Sequence, residues 1–161
     1  MQSIGEVAKM TVTKRFTFEA AHRLCNPDIT EQENVDLFHA CHHIHGHSYK
    51  LFVTVEGLVN RKTGFVVDFK KLKSIVTEQI VNVFDHKMIN EEVEYYKNNP
   101  TITITCENML VFMWGLLNPS FREMGCTLKE LKLYETEDSY ATYRGETTWV
   151  MAKDGTPYNA L

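Results

Sequence analysis

The chain lacks the basic excess of a nucleic-acid binder: its 161 residues carry 17 Lys and Arg against 21 Asp and Glu, a formal net charge of −4. A surface that tracks a phosphate backbone needs a positive face and a high isoelectric point, whereas this sequence has one near 6.0. It lacks any run of about 18 apolar residues, the length that crosses a bilayer, and nothing in it reads as a signal peptide. The expectation is a cytoplasmic protein with no membrane and no nucleic-acid partner. Cysteine is scarce: Cys25, Cys41, Cys106 and Cys126 are scattered without a paired framework, which excludes a disulfide scaffold and suits a reducing compartment. There is no internal repeat and no low-complexity segment. Also missing is a His-Glu-x-x-His motif, which counts against a zinc hydrolase of that type.

What the chain does have is histidine in one place. Of seven histidines, four fall within Cys41-His42-His43-Ile44-His45-Gly46-His47. On a strand, His45 and His47 point to the same face, with the intervening glycine expected to leave room for an ion. A catalytic zinc site keeps three protein ligands and one open position. His22, at the end of the apolar run Phe16–Ala21, is the best third ligand. Three nitrogen donors without a cysteine pair or ligating carboxylate favour zinc over magnesium or iron. His39 reads as an ordinary surface or structural histidine, and His42 and His43 are left outside the metal shell.

The size and hydrophobic content, 161 residues at 43% hydrophobic, fit one domain over 1–161, with a core over about 12–146 and an extended tail over 147–161 that carries no assigned role. Residues 10–20 and 47–56 alternate with period two and read as strands, and a connection over 57–64 predicts a third strand at 65–68. From Lys70 the spacing of Leu72, Ile75, Val76, Ile80 and Val83 turns helical, with Asp68 as cap. A second helix is predicted over Glu107 to about Leu117, capped by Thr105, and residues 128–134 and 140–144 return to strand alternation. Helices grouped between strands, without β-α-β alternation, predict an α+β chain with an antiparallel sheet.

Beyond the histidines, Cys41 has two readings: a small inert buried thiol, or a base or nucleophile activated by neighbouring imidazoles and metal. Asp85-His86, just past the first helix, reads as an oriented proton relay or as a plain helix-end histidine. Glu135, ending a strand, is a candidate anchor for a guanidine-like ring edge.

The ordered set Phe18-Glu19-Ala20-Ala21-His22, Cys41-x-x-x-His45-Gly46-His47, Gly64 through Phe69, Asp85-His86-Lys87, Thr105-Cys106-Glu107-Asn108 and Tyr134-Glu135-Thr136 resembles the 6-pyruvoyl-tetrahydropterin synthase superfamily, including its 6-carboxy-tetrahydropterin synthase branch. The likeness spans residues 12–146. It implies a tunnelling fold: a four-stranded antiparallel sheet with two helices on one face, associating into a trimer-based barrel and commonly a homohexamer. It further implies zinc on His22, His45 and His47, and 7,8-dihydroneopterin triphosphate as substrate. Cys41 would take a proton, His86, oriented by Asp85, would relay protons, Glu135 would hold the pterin ring, and Glu107 would face it. Cys41 and His86 would meet at a site between subunits.

The three residues between Cys41 and His45, and the start Phe18 to Leu24, resemble the carboxy branch, whose product is 6-carboxy-tetrahydropterin with loss of triphosphate and acetaldehyde. The loop around Glu33–Phe38 and the string Asp85-His86-Lys87 resemble the pyruvoyl branch instead. The spacing beside the nucleophile tips the expectation to the carboxy branch, with the pyruvoyl synthase as the alternative. Two other classes remain: a non-catalytic pterin-binding scaffold, which would not need Cys41, and a zinc hydrolase of unrelated fold, which would survive Cys41→Ala.

Overall fold

Two 14-residue strands form the centre of the molecule, which is a computed structural model describing residues 6–147 and the backbone of 150–151 and 157–158. Strand β1 (Lys9–His22) and strand β2 (His45–Leu58) pair antiparallel without interruption, from Lys9 opposite Leu58 to His22 opposite His45. Their alternation sets two unlike faces. Phe16, Phe18, Ala20 and His22 of β1 are buried beside Tyr49, Leu51, Val53 and Val55 of β2. The opposite face is polar, with Thr13 and Thr54 sharing a hydroxyl hydrogen bond of 2.7 Å and Ser48 donating to Glu19 at 2.7 Å.

Between these strands, α1 (Glu31–Phe38) starts with a capping box: Thr30 Oγ1 accepts from the Glu33 amide, and Glu33 accepts from the Thr30 amide. A 3-10 turn over His39–His42 follows. After β2 the helical layer begins with α2 (Phe69–Val76), where Asp68 Oδ1 accepts from the Lys70 amide at 2.8 Å. It passes through a π-helical turn over Thr77–Val81 into α3 (Asn82–Phe84). A two-residue strand, β3 (Lys87–Met88), lies parallel to β1, and two short helices, α4 (Ile89–Glu92) and α5 (Glu94–Asn98), come next. The long helix α6 (Cys106–Glu123), capped by Thr105, leads to β4 (Thr127–Tyr134) and β5 (Tyr140–Tyr143). The sheet order is β3-β1-β2-β4-β5, an α+β architecture with α6 packed on β4 and β5 and the α2–α3 layer on β1. Phe18, Tyr49 and Phe84 tie sheet to helices, their rings 5.0 and 5.5 Å apart from Phe18 outward. In the tail, β6 (Val150–Met151) pairs with β7 (Pro157–Tyr158), and its other residues past 147 lie outside the described residues.

Three expectations are corrected. Residues 65–68 form no strand: β1 and β4 occupy both edges of β2, the strand that this segment would have joined through a hairpin, and Val67 packs into the core instead. The second helix does not stop near Leu117 but runs through Pro119 to Glu123, because Phe121 is fully buried and Gln79 donates to Ser120 at 2.8 Å. Tertiary packing there outweighs the break that an internal proline introduces. The sheet also carries a fifth, parallel strand that a two-residue segment could not announce.

Candidate metal centre and acid–base site

The side chains that β1 and β2 bury become histidines at the strand ends. His22 sits directly opposite His45, and His47 lies two residues along β2 on the same face. Their rings converge, with centroids 4.6 Å apart for His22 and His45, 4.9 Å for His45 and His47, and 5.2 Å for His22 and His47. One ligand atom from each lies within 4.8 Å of the others.

The outer hydrogen bonds choose which nitrogens converge. His22 Nδ1 meets the carbonyl of Ile104 at 2.9 Å, and His45 Nδ1 meets the carbonyl of His43 at 2.7 Å. A carbonyl only accepts, so each Nδ1 carries the proton and each Nε2 turns its lone pair toward the cluster, that of His22 lying within reach of the Tyr49 hydroxyl. His47 Nε2 is buried and has no hydrogen-bond partner. An orphaned buried imidazole nitrogen is costly unless something binds it. Burial lowers the pKa of His22 to about 4 and also lowers that of His47, so both rings are neutral at pH 7, the form that ligates. The donor set fits a metal ion.

Gly46 does something other than make room for that ion. Strand alternation turns it to the opposite face, where a Cβ would sit 3.3 Å from the Ala20 carbonyl. Its missing side chain lets β1 and β2 approach closely at the histidine pair.

Glu135, directly after β4, continues the buried-face register of Leu131 and Leu133 and lands beside the cluster. One of its oxygens is 3.4 Å from Nε2 of both His22 and His47. A cavity of about 220 Å³ opens here, lined by His22, His45, Cys41, Glu107, Glu135 and Tyr140 among others. Cys41 reaches it from the 3-10 turn, where the Leu24 amide donates to the Cys41 carbonyl at 2.8 Å. Its thiol is exposed, in contrast to Cys106 on the same wall, which burial pushes up to about 12 and keeps neutral. Glu107 lies in the first turn of α6 at the rim.

Asp85 and His86 are placed elsewhere. His86 lines a second concavity of about 430 Å³ with Glu19, Gly46, His47 and Ser48, on the side of the sheet that the helices leave bare. Asp85 accepts from the Glu19 amide at 2.9 Å and from His86 Nδ1 at 2.9 Å, and these bonds, the backbone one first, hold its carboxyl below the usual range. His86 adopts φ 58, in the left-handed region, while its side chain is 80% exposed. A non-glycine residue held there marks a position the surroundings over-determine. The chain therefore gathers Cys41, Glu107, Glu135 and two of the three imidazoles around one cavity, and presents His86 to the other.

Tyr49 was absent from the predicted site. Its hydroxyl is fully buried 3.4 Å from His22 Nε2, and burial raises its pKa. The signal was available, since Tyr49 continues the period-two face of His45 and His47. The Ile104 carbonyl that orients His22 had no comparable signal, because it lies 82 residues away.

Three convergent imidazoles, two of them sharing one cavity with a carboxylate and an exposed thiol, make a candidate acid–base site whose donor set fits a metal ion, on an open-faced α+β sheet. The chain belongs to the 6-pyruvoyl tetrahydropterin synthase family, whose profile matches residues 11–146. It is 36% identical to the 6-pyruvoyl tetrahydrobiopterin synthase of Drosophila melanogaster over 136 residues, 83% of this chain and 79% of that one. It is 27% identical over 145 residues to the 6-carboxy-5,6,7,8-tetrahydropterin synthase of Rickettsia typhi, covering 80% of this chain and 95% of that one. The solved Caenorhabditis elegans 6-pyruvoyl tetrahydropterin synthase superposes with a TM-score of 0.76 at 30% identity, covering 86% of this chain and 97% of that one.

Proposed function

We propose that this chain is a zinc-dependent 6-pyruvoyl tetrahydropterin synthase, which eliminates triphosphate from 7,8-dihydroneopterin triphosphate and rearranges the side chain to the 6-pyruvoyl product. The observation that carries a synthase is the convergence of His22, His45 and His47 beside Cys41 and Glu135. The choice of branch reverses the expectation from the Cys41 spacing. Relatives named for the pyruvoyl reaction reach 36% identity over 83% of this chain, against 27% over 80% for the Rickettsia carboxy synthase and 34% over only 65% for a putative carboxy synthase of Archaeoglobus fulgidus. The 3-10 turn over His39–His42 delivers Cys41 to the cavity with this short spacing, a placement that suits either branch.

Bound at the three imidazoles, zinc supplies Lewis-acid polarisation of the substrate's side-chain oxygens. Glu135 accepts hydrogen bonds from the ring edge of the pterin, two parallel N–H donors being the natural complement of a carboxylate, and Glu107 faces the ring from the rim. Cys41 takes a proton from the substrate's side chain. His86, oriented through Nδ1 by Asp85, returns protons between steps. The separation of His86 from the Cys41 cavity supports a site shared between subunits, as in a homohexamer built from two trimeric barrels. Four free cysteines support a reducing, cytoplasmic setting, and among the described residues no helix is long and apolar enough to cross a membrane.

The test is incubation of zinc-loaded protein with 7,8-dihydroneopterin triphosphate, followed by mass spectrometry. Release of triphosphate with a 6-pyruvoyl product is expected. A 6-carboxy product with acetaldehyde moves the chain to the other branch, and untouched substrate overturns the synthase reading in favour of a pterin-binding scaffold.

A further inference from the structure

His42 belongs to the histidine cluster of the sequence yet takes no part in the metal centre. It is buried, and both of its ring nitrogens are engaged: Nδ1 with the Leu24 carbonyl at 3.0 Å and Nε2 with Glu31 at 2.7 Å. A carbonyl and a carboxylate are both acceptors, so two such bonds require a proton on each nitrogen, and the ring is an imidazolium. The same two residues hold Leu24 twice. Its amide donates to the Cys41 carbonyl at 2.8 Å while its carbonyl accepts from His42. Leu24 also lines the cavity that Cys41 enters. The dipeptide Cys41-His42 is thus fastened to the end of β1 and, through Glu31, to the first turn of α1.

We propose that His42 is a positioning residue of the reaction: as an imidazolium bridging Leu24 and Glu31 it locks the 3-10 turn that presents Cys41 to the cavity, and turnover falls when it loses its proton. This role rests on the synthase reading above. Hydrogen bonding to Glu31, then to the Leu24 carbonyl, raises the pKa of His42 above its ordinary value, and His42 in turn lowers that of Glu31. The clamp is therefore complete below about pH 6.5 and is lost as pH rises through the raised folded value. The charged and titratable groups facing it are Glu31 from α1, Arg23 and the free thiol of Cys25 from the segment after β1, His43 beside it in the chain, and Glu91 of α4 and Tyr96 of α5 across a shared cavity of about 340 Å³. Arg23 opposes the charge and Glu31 outweighs it at hydrogen-bond distance.

The experiment measures kcat and KM against pH for zinc-loaded wild type, His42→Gln and Glu31→Gln, and amide hydrogen exchange at Leu24 without substrate. In His42→Gln, kcat falls about tenfold with KM within about twofold and zinc content unchanged, and Leu24 exchanges about tenfold faster, the scale of one lost charge-assisted hydrogen bond. In Glu31→Gln the alkaline limb of kcat moves about one pH unit lower, because the charge that favoured the imidazolium is gone. A purely structural histidine would leave that limb in place. Glu31 is 78% exposed, so Glu31→Gln carries the test if His42→Gln folds poorly. An unmoved limb, unchanged Leu24 exchange, or wild-type kcat in His42→Gln overturns the proposal. An inactive wild type sinks the synthase reading and the role in turnover with it, whereas faster Leu24 exchange in the variants still supports the clamp.

Discussion

At the residue scale, the three imidazoles differ in what their loss does. His47→Ala removes a buried Nε2 that has no hydrogen-bond partner and only the Glu135 carboxylate nearby, so the variant is expected to lose stoichiometric zinc by elemental analysis while keeping its fold. Cys41→Ala keeps the metal and loses about 10²–10⁴-fold in turnover, the range of a positioned proton acceptor; near-normal activity with full zinc would remove Cys41 from the chemistry. His22 adds a pH signature. In the unfolded chain it takes a proton near pH 6.5, but in the folded protein burial keeps it neutral down to about 4. Between those values the unfolded state binds more protons, so the metal-free protein loses stability as pH falls through this window, on the order of 2–3 kcal/mol. Urea unfolding of wild type and His22→Phe at pH 7 and 4.5 checks this, and equal slopes in the two proteins sink it. The converging histidines were legible because their residue type is rare and the spacing of His45 and His47 is that of a strand, and Cys41 because it stands beside them in the chain. Tyr49 shares the period-two face of His45 and His47 and was open to the same argument, whereas the Ile104 carbonyl is a backbone atom with no sequence signature.

At the scale of elements, the alternation of β1 and β2 was plain in the sequence, as were Asp68 and Thr105 as caps, because each depends on residues within four positions of one another. The predicted strand at 65–68 shows the limit: its pattern suits a ladder, and competition from β1 and β4 for the edges of β2 decided against it. The turn after β5 depends equally on distant packing. Gly145 holds φ 78, and a Cβ there would lie 2.4 Å from the indole ring of Trp114, itself packed on Tyr143. Gly145→Ala therefore costs about 1–3 kcal/mol in chemical denaturation, from backbone strain and displacement of the indole together. A loss within error would mean that the β5 end and α6 do not constrain each other.

At the scale of the whole molecule, the placement of Cys41 and His86 on separate concavities has a consequence in mixed assemblies. Cys41→Ala and His86→Ala are each expected to be inactive alone. Co-assembled in equal amounts, they regain about a quarter of wild-type activity if each site draws one residue from each of two chains. No recovery, with mixing shown by mass spectrometry, places both residues in a site within one chain. The sequence by itself determined the candidate donor residues, the α+β class and the family, because these rest on local periodicity and on rare residues in ordered motifs. Only the tertiary structure decided that Glu135 lies 3.4 Å from two of the three converging rings, that Gly46 serves strand approach, and that both ring nitrogens of His42 face acceptors. Each of those depends on atoms brought together from far apart in the chain, where distance and the nature of the acceptor, and no local pattern, set the chemistry.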